Sequence, residues 1–546
     1  MQKALVLILS IVCGMIPMFS GNNPEEPVQW QSKLVQVDKK GTISYHPDKD
    51  GYVIPDFSAA GYRGGGIPLP EVKVVHTISA IEGDNTAHIQ AAIDKVGSMP
   101  LQNGMRGALL LKAGKYRVSG SIHVKYDGVV LRGEGQGESP ETSTIIYATG
   151  NTPDKRTVVY AGTNKSPNDW RGISGKKVNI EDDYLPAGSK TIKLTTTEGF
   201  QIGDQVVLMH PATEAWIDAI DGGVGESKAT PWEATSRLNI PYNRYIRAVD
   251  VKTNTITLDA PLFYGFRKSL SQAYVYKMNR SNIIREVGIE NLRIDCEFNP
   301  EVTTTNSKLG TYMSDEKHAW TGLQLVSVEN CWAKNVTVKS VGGSGMMITR
   351  ATRSTILDCS VLDPVSVISG ERRYAFNTAS YAQLILFKNC YARNSRHAFV
   401  SNGTTTASGN VFLYCSSELS YAANEGHRHW SSGFLYDNYR ELSYNGTYKH
   451  TLALYNRGTY GSSHGWSMVS GVAWNCDLTA NDPALGHLII QQPPTGQNFA
   501  IGCKAAEIDG KGPFKAPEGY LEGNNRPGLF PVSLYEAQLY ERLKSN

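Results

Sequence analysis

Six short stretches in the second half of the chain repeat one phrase: "VENCWAKNV", "ILDCSVLDP", "FKNCYARNS", "LYCSSELS", "AWNCDLTAN" and "IGCKAAEID". Most combine a β-prone run, an Asn or Asp, a cysteine and a second β-prone run. From Cys331 onward the cysteines follow at intervals of 28, 31, 25, 61 and 27 residues, so the fourth gap is about twice the others. A repeat of roughly 25–30 residues marks a solenoid, in which no coil can bury its apolar face alone and neighbours stack. The spacing predicts a parallel β-helix in which equivalent residues form ladders and small cysteines fill an interior column. It also removes the need for several domains that a length of 546 residues would otherwise suggest.

Composition agrees with this reading. Charged residues make up only 19% of the chain, and 53 glycines and 28 tyrosines favour strands and turns over a helical bundle. A net charge of +3 gives no general attraction for nucleic acid, so an anionic partner must be sought in local clusters. Lys3 followed by an apolar run to about Phe19 reads as a secretory signal over 1–21, and nothing later is apolar for long enough to span a membrane. Cys13 lies inside that run, but "IVCG" is a poor lipidation box, so a secreted or periplasmic location is favoured over an anchored lipoprotein. The other seven cysteines are odd in number and contain no C-x-x-C. They therefore read as structural, not as disulfides or a zinc site.

The rest of the chain divides around the repeats. An N-terminal extension covers 22–70, and a cap with the first coils covers 71–177. In the latter, Asp84 or Asn85 caps a helix whose Ile89, Ala92 and Ile93 share one face and close the open end of the solenoid. Between 178 and 277 the repeat lapses into hairpin-like sequence, read as a small inserted antiparallel β-subdomain. The main β-helix covers 278–530. Residues 531–546 form a short helix with Ser533 and Glu536 at capping-box spacing, expected to dock on the last coil through Tyr535, Leu539 and Leu543.

Within the main helix a basic residue precedes a ring three times: Arg373-Tyr374, Arg396-His397 and Arg428-His429, at separations of 23 and 32 residues. Aligned by coil, with stacked strands about 4.8 Å apart, they would form a positive column beside a column of proton-carrying rings. Glu371 and Glu425 are potential partners for the arginines. Parity offers a plainer reading, because His397 shares its parity with Phe399 and would be buried wherever Phe399 is core. Asn424 and His427 in "NEGHRHW" and Asn377 in "YAFNTAS" lie next to these rings, whereas His318 and Trp320 in "DEKHAWTG" lie one coil earlier. In the insertion, Trp216 and Trp232 (with Tyr242, Arg244 and Tyr245) could wall a groove by sugar stacking or could form the subdomain's own core.

The stretch "GDNTAHIQAAID…GALLLKAGKYRVSGSIHVKYDGVVLRGEGQG" resembles the N-terminal part of the pectate-lyase-like right-handed β-helix superfamily. "DEKHAWTGLQL", "GERRYAFNTAS", "SRHAFVSNG" and "GHRHWSSGFLYDN" look like an exported bacterial branch of it. The resemblance implies an all-β, right-handed parallel β-helix and a carbohydrate ligand, but leaves the chemistry open, because such helices host lyases, hydrolases, epimerases and binders. "AWIDAI" imitates the W-I-D-H of calcium pectate lyases without the His and inside the insertion, so it reads as a decoy. The hydrolase signatures of polygalacturonases are absent, and "HGW" at His464 is not a G-H-G.

The expected activity is β-elimination next to a uronate in an acidic polysaccharide. The C5 proton becomes acidic only when its carboxylate is neutralised, a base must lie near C5, and an acid near O4. Arg suits the first task through its planar fork, and His or Tyr suits the others. This makes His397, His429, Tyr374, Arg396 and Arg428 the expected catalytic set, with Arg373, His427, Asn424, Asn377, His318, Trp216 and Trp232 binding substrate. A glycoside hydrolase, which would draw on Asp295, Glu297, Asp315, Glu316 or Asp358, and a non-catalytic glycan-binding β-helix are the alternatives. No metal site is expected from His427-x-His429 alone, calcium held by Asp or Glu stays open, and the protein is expected to act as a monomer without a nucleic-acid partner.

Overall fold

In a computed structural model, residues 28–163, 173–445 and 450–544 are described; the expected signal segment 1–21, with Cys13, lies outside them. The chain is a right-handed parallel β-helix of three ladders. The first runs from Ile122–Val124 through Thr157–Gly162, Thr321–Glu329, Ser344–Thr352, Tyr374–Thr378, His397–Ser401, Asn424–Gly426, His450–Leu454 and His487–Ile490 to Glu507–Asp509. A second carries Thr355–Leu357, Leu386–Lys388, Ser408–Leu413 and Ser431–Asp437 in register. The third carries Ser360–Leu362, Tyr391–Arg393, Ser416–Ser420 and Arg440–Tyr444.

The cysteines occupy the corner before the third ladder. The amides of Tyr391, Ser416, Arg440, Asp477 and Lys504 donate to the carbonyls of Cys359, Cys390, Cys415, Tyr439 and Cys476, which places these residues and Cys503 in one interior column. Tyr439 fills the slot that the 61-residue gap skips. Cys331 belongs to a different corner: its carbonyl accepts from Thr355, at the start of the second ladder. The residue before each corner explains the Asn-Cys phrase. Asp358, Asn389, Asn438 and Asn475 all have φ between 51° and 55°, a left-handed turn that Asn and Asp tolerate better than most residues. Their side chains also form a ladder, with Asn389 Nδ2 on Asp358 and Asn475 Nδ2 on Asn438 at 3.0 and 2.8 Å.

Inside the coils Phe376 and Phe399 stack at 5.1 Å and 2°, and Phe387, Phe412, Tyr436 and Tyr439 continue the aromatic filling. The helix Thr86–Gly97 covers the first coils with Ile89, Ala92, Ile93 and Val96 buried. Between Ile173 and Met278 an antiparallel sheet includes Gln205–His210, Ile240–Asp250 and Tyr274–Met278. It is tied to the β-helix by charge pairs: Arg353 holds Asp259 at 2.7 Å, both buried, and the buried Glu329 holds the half-buried Arg280 at 2.6 Å.

The C-terminal helix departs from expectation. Leu534–Lys544 lies along the flank over the N-terminal extension and not on the last coil. Tyr535 donates to the Ala60 carbonyl, Arg542 donates to Ser58 and Gly64, and Leu543 stays 46% exposed. Its first turn is anchored on Asp437, which accepts from Ser533 Oγ and the Tyr535 amide at 2.8 Å each. Ser533 does cap the helix, accepting from the Glu536 amide.

Because Phe399 is fully buried and stacked, Phe399→Ala should cost about 3–5 kcal/mol in denaturant unfolding. A loss below 1 kcal/mol would mean that the stack does not support the coils.

Candidate active site

The site begins with a break in strand alternation on the first ladder. Tyr374 pairs with Ser344 and His397, and the next recorded partners are Met346, Phe376 and Phe399. Ala375 and Ala398 belong to the interior together with Phe376 and Phe399. Two consecutive inward residues let Tyr374 and His397 turn their rings towards each other, 5.4 Å apart, outside the aromatic filling. This resolves the parity argument for His397: it is buried, but not with Phe399. Farther along, Asn377, Val400 and Glu425 occupy one row.

Glu425 is the hub. Its Oε1 lies 2.7 Å from His427 Nδ1, 2.7 Å from the Arg457 guanidinium and 3.6 Å from His397 Nε2, and its Oε2 accepts from Tyr455 at 2.7 Å. All five residues are buried. Next to them, the Tyr374 hydroxyl lies 3.3 Å from His427 Nε2 and accepts from the Glu371 amide at 3.2 Å and Arg396 Nη1 at 3.3 Å. With two donors on that oxygen, its own proton has one acceptor, His427 Nε2. A tautomer with the His427 proton on Nδ1, donated to Glu425, satisfies the contacts to Tyr374 and Glu425. Burial, reinforced by Arg457, holds His427 neutral by pushing its pKa well below the usual histidine range. Burial and Arg396 do the same to His397, whose Nδ1–H is donated to the Ala423 carbonyl.

His397, Glu425 and His427 could form a metal-ligand set, since their donor atoms lie within 4.8 Å of one another. The Arg457 guanidinium already sits on the shared Glu425 oxygen, and contacts His427 Nδ1 as well. The cation of this cluster is an arginine.

A cleft of about 640 Å³ opens over the cluster, lined by Tyr374, Asn377, Arg396, His427, Arg428, Arg457 and His464, with Trp320 at its edge. A second lobe of about 1210 Å³ adjoins it, lined by Trp232, Arg237, Tyr381, His429 and Ser463. Ser380, Arg428 and Ser462 line both. Among the described residues Arg396 and Arg428 have no carboxylate within ion-pair distance, whereas Arg372 and Arg393 are paired with Glu316 and Asp363.

The structure separates the expected site residues. Tyr374, Arg396, Arg428, His427 and Asn377 come together in the first lobe, and Trp232 and His429 meet edge-on at 5.0 Å in the second. His397 supports from below. Four others do not reach the cleft. Arg373 is buried with its guanidinium on the carbonyls of Ser366 and Met313. Asn424 is internal, accepting from the Phe399 amide and donating to Tyr439. His318 is sealed against the Ser340 carbonyl, and Trp216 lies in the insertion's core on Tyr264. The three-arginine column is therefore not formed. Val400 pairs with Glu425, an offset of 25 residues, whereas His397 and His429 are 32 apart, so Arg428 and His429 follow their strand where Arg396 precedes its own. Arg457, Tyr455 and His464 went unnoticed as site residues. Arg457 is followed by Gly458 and not by a ring, which hid it from the pattern.

No family model matches the sequence. Among curated proteins, a pectinesterase/pectinesterase inhibitor from Brassica campestris is 24% identical over 216 residues, 37% of this chain and 34% of its own length. Among solved structures, the tailspike protein gp49 from Pseudomonas phage LKA1 aligns over 77% of this chain and 56% of its own, with 16% identity and a TM-score of 0.41. The polygalacturonase from Erwinia carotovora aligns over 86% and 96%, with 10% identity and a TM-score of 0.37. The chain thus spans about a third of that curated relative and little over half of the tailspike. Its own strand pairing, three parallel ladders stacked coil on coil, makes its architecture a parallel β-helix.

Burial lowers the pKa of His210, His429 and His464 to about 4. The unfolded chain takes up protons at these sites as pH falls through about 6.5, and the folded chain does not. Their stabilising contribution is complete above pH 6.5 and lost progressively towards pH 4. The thermal midpoint should fall across that window, and His429→Gln should flatten the fall; an unchanged slope would contradict the neutral state of this half-buried ring.

Proposed function

We propose that the chain is an exported polysaccharide lyase, acting as a monomer, that cleaves a uronate-containing acidic polysaccharide by β-elimination. The observation that carries this reading is the pairing of a Tyr374–His427–Glu425 relay with two arginines that lack carboxylate partners, in one cleft. Arg396 and Arg428 receive the uronate carboxylate and draw charge from C5. Tyr374 passes its hydroxyl proton to His427, whose positive charge Glu425 balances, and the phenolate removes the C5 proton. The C5–H electron pair becomes the C4=C5 double bond, the C4–O4 bond breaks, and Tyr374 delivers the proton to O4. His427 then returns the stored proton. Arg396 and the Glu371 amide stabilise the phenolate in the interval.

A hydrolase needs two carboxylates facing the glycosidic bond. Among the described residues lining the first lobe, Glu371 is the only carboxylate, and Glu425 is buried beneath it against Arg457. This favours elimination.

Incubation with chondroitin, hyaluronan, alginate or pectate should raise the ultraviolet absorbance of an unsaturated uronate with one of these chains. New reducing ends without that absorbance would overturn the reading. Tyr374→Phe should lower kcat by about 10²–10⁴-fold with binding retained, while Arg396→Ala should impair both. Since His427 works as a neutral acceptor with a depressed pKa, kcat/KM should show no loss as pH falls through about 6.5. An acid limb centred there would mean that an ordinary, exposed histidine carries the reaction.

A further inference from the structure

The second lobe is larger than the first and lies outside the relay. One wall is the insertion segment from Thr230 to Leu238; the opposite side is formed by Tyr381, Thr404 and Thr406 of the β-helix, with Arg428, His429, Ser462 and Ser463 between them. Arg237, on the turn Ser236–Leu238, is exposed and, among the described residues, has no carboxylate within ion-pair distance. Arg428 is half-buried, and its Nε is buried without a hydrogen-bond partner. Glu233 is the one carboxylate among the described lining residues, and it pairs with neither arginine. The remaining lining is rich in hydroxyls, a surface suited to sugars.

Arg428 borders both lobes, so a chain lying across it places one charged group towards Tyr374 and the next towards Arg237. From this we propose that the second lobe is an accessory subsite for an anionic substituent, a carboxylate or a sulfate ester, on the sugar next to the uronate that reacts. Guanidinium groups recognise both oxyanions through the same fork. The inference rests on the first lobe being the glycan site. It predicts that glycans charged on every sugar are preferred over glycans charged on alternate sugars.

The test is titration calorimetry at fixed ionic strength on the Tyr374→Phe protein, in which turnover is slowed. The probes are hexasaccharides of hyaluronan, with a carboxylate on alternate sugars, and of chondroitin 4-sulfate and polygalacturonate, with charge on every sugar. At least one fully charged chain should bind about tenfold or more tightly than hyaluronan, the size of one charged hydrogen-bond pair. Adding Arg237→Ala or Arg237→Lys should shrink that ratio to about threefold or less, whereas Lys252→Ala, on the exposed far hairpin of the insertion, should not. If chondroitin 4-sulfate alone shows the preference, the substituent is a sulfate; if polygalacturonate alone shows it, a carboxylate. A ratio near one, a ratio that survives Arg237→Ala, or one that Lys252→Ala lowers equally would overturn the inference. Unsaturated product from the unmodified protein judges the lyase reading separately, so the two can fail independently.

Discussion

The parallel register of the first ladder is the constraint on which the site depends. Hydrogen bonding between coils fixes Tyr374 on His397, Asn377 on Val400 and Val400 on Glu425, whatever the side chains would prefer. Residues far apart in sequence are thereby held one strand spacing apart on rigid backbone, the condition under which hydrogen-bonded relays keep their geometry. The aromatic stack beneath, Phe376 on Phe399, makes slippage of that register costly.

Upon this frame, one buried carboxylate organises the charges. Glu425 would be expensive to bury alone, and Arg457, His427 and Tyr455 share its two oxygens. The same arrangement keeps His427 neutral and aims its free nitrogen at Tyr374. Stability and chemistry therefore meet at a single side chain: Arg457 compensates Glu425, and this leaves Arg396 and Arg428 available to an outside anion.

Much of this was legible in the sequence, and the failures have physical causes. The cysteine phrase located the corners because a left-handed Asn or Asp before a small interior residue is a local requirement of each coil. Tyr439 escaped because a ring takes the same slot, with its hydroxyl held by Ser417, Asn424 and Glu441. The partnership of Tyr374 with His397 followed from the 23-residue spacing, close to one coil. The 32-residue step to His429 exceeds the 25-residue offset of that ladder by seven, which carries Arg428 and His429 past the strand to the facing rim. The burial of Arg373 and His318 was not legible, since each is settled by carbonyls contributed from other segments, whereas Trp216 takes the core place in the insertion that the sequence left open beside a groove wall.

In the proposed complex the cleft over Tyr374 holds a uronate with its carboxylate on the two arginines that lack carboxylate partners. A crystal structure of the Tyr374→Phe protein with a bound uronate oligosaccharide tests this directly. The expected result is a sugar carboxylate between Arg396 and Arg428, with C5 facing the ring at position 374. A carboxylate bound elsewhere, or a sugar whose C5 points away from that ring, would contradict it.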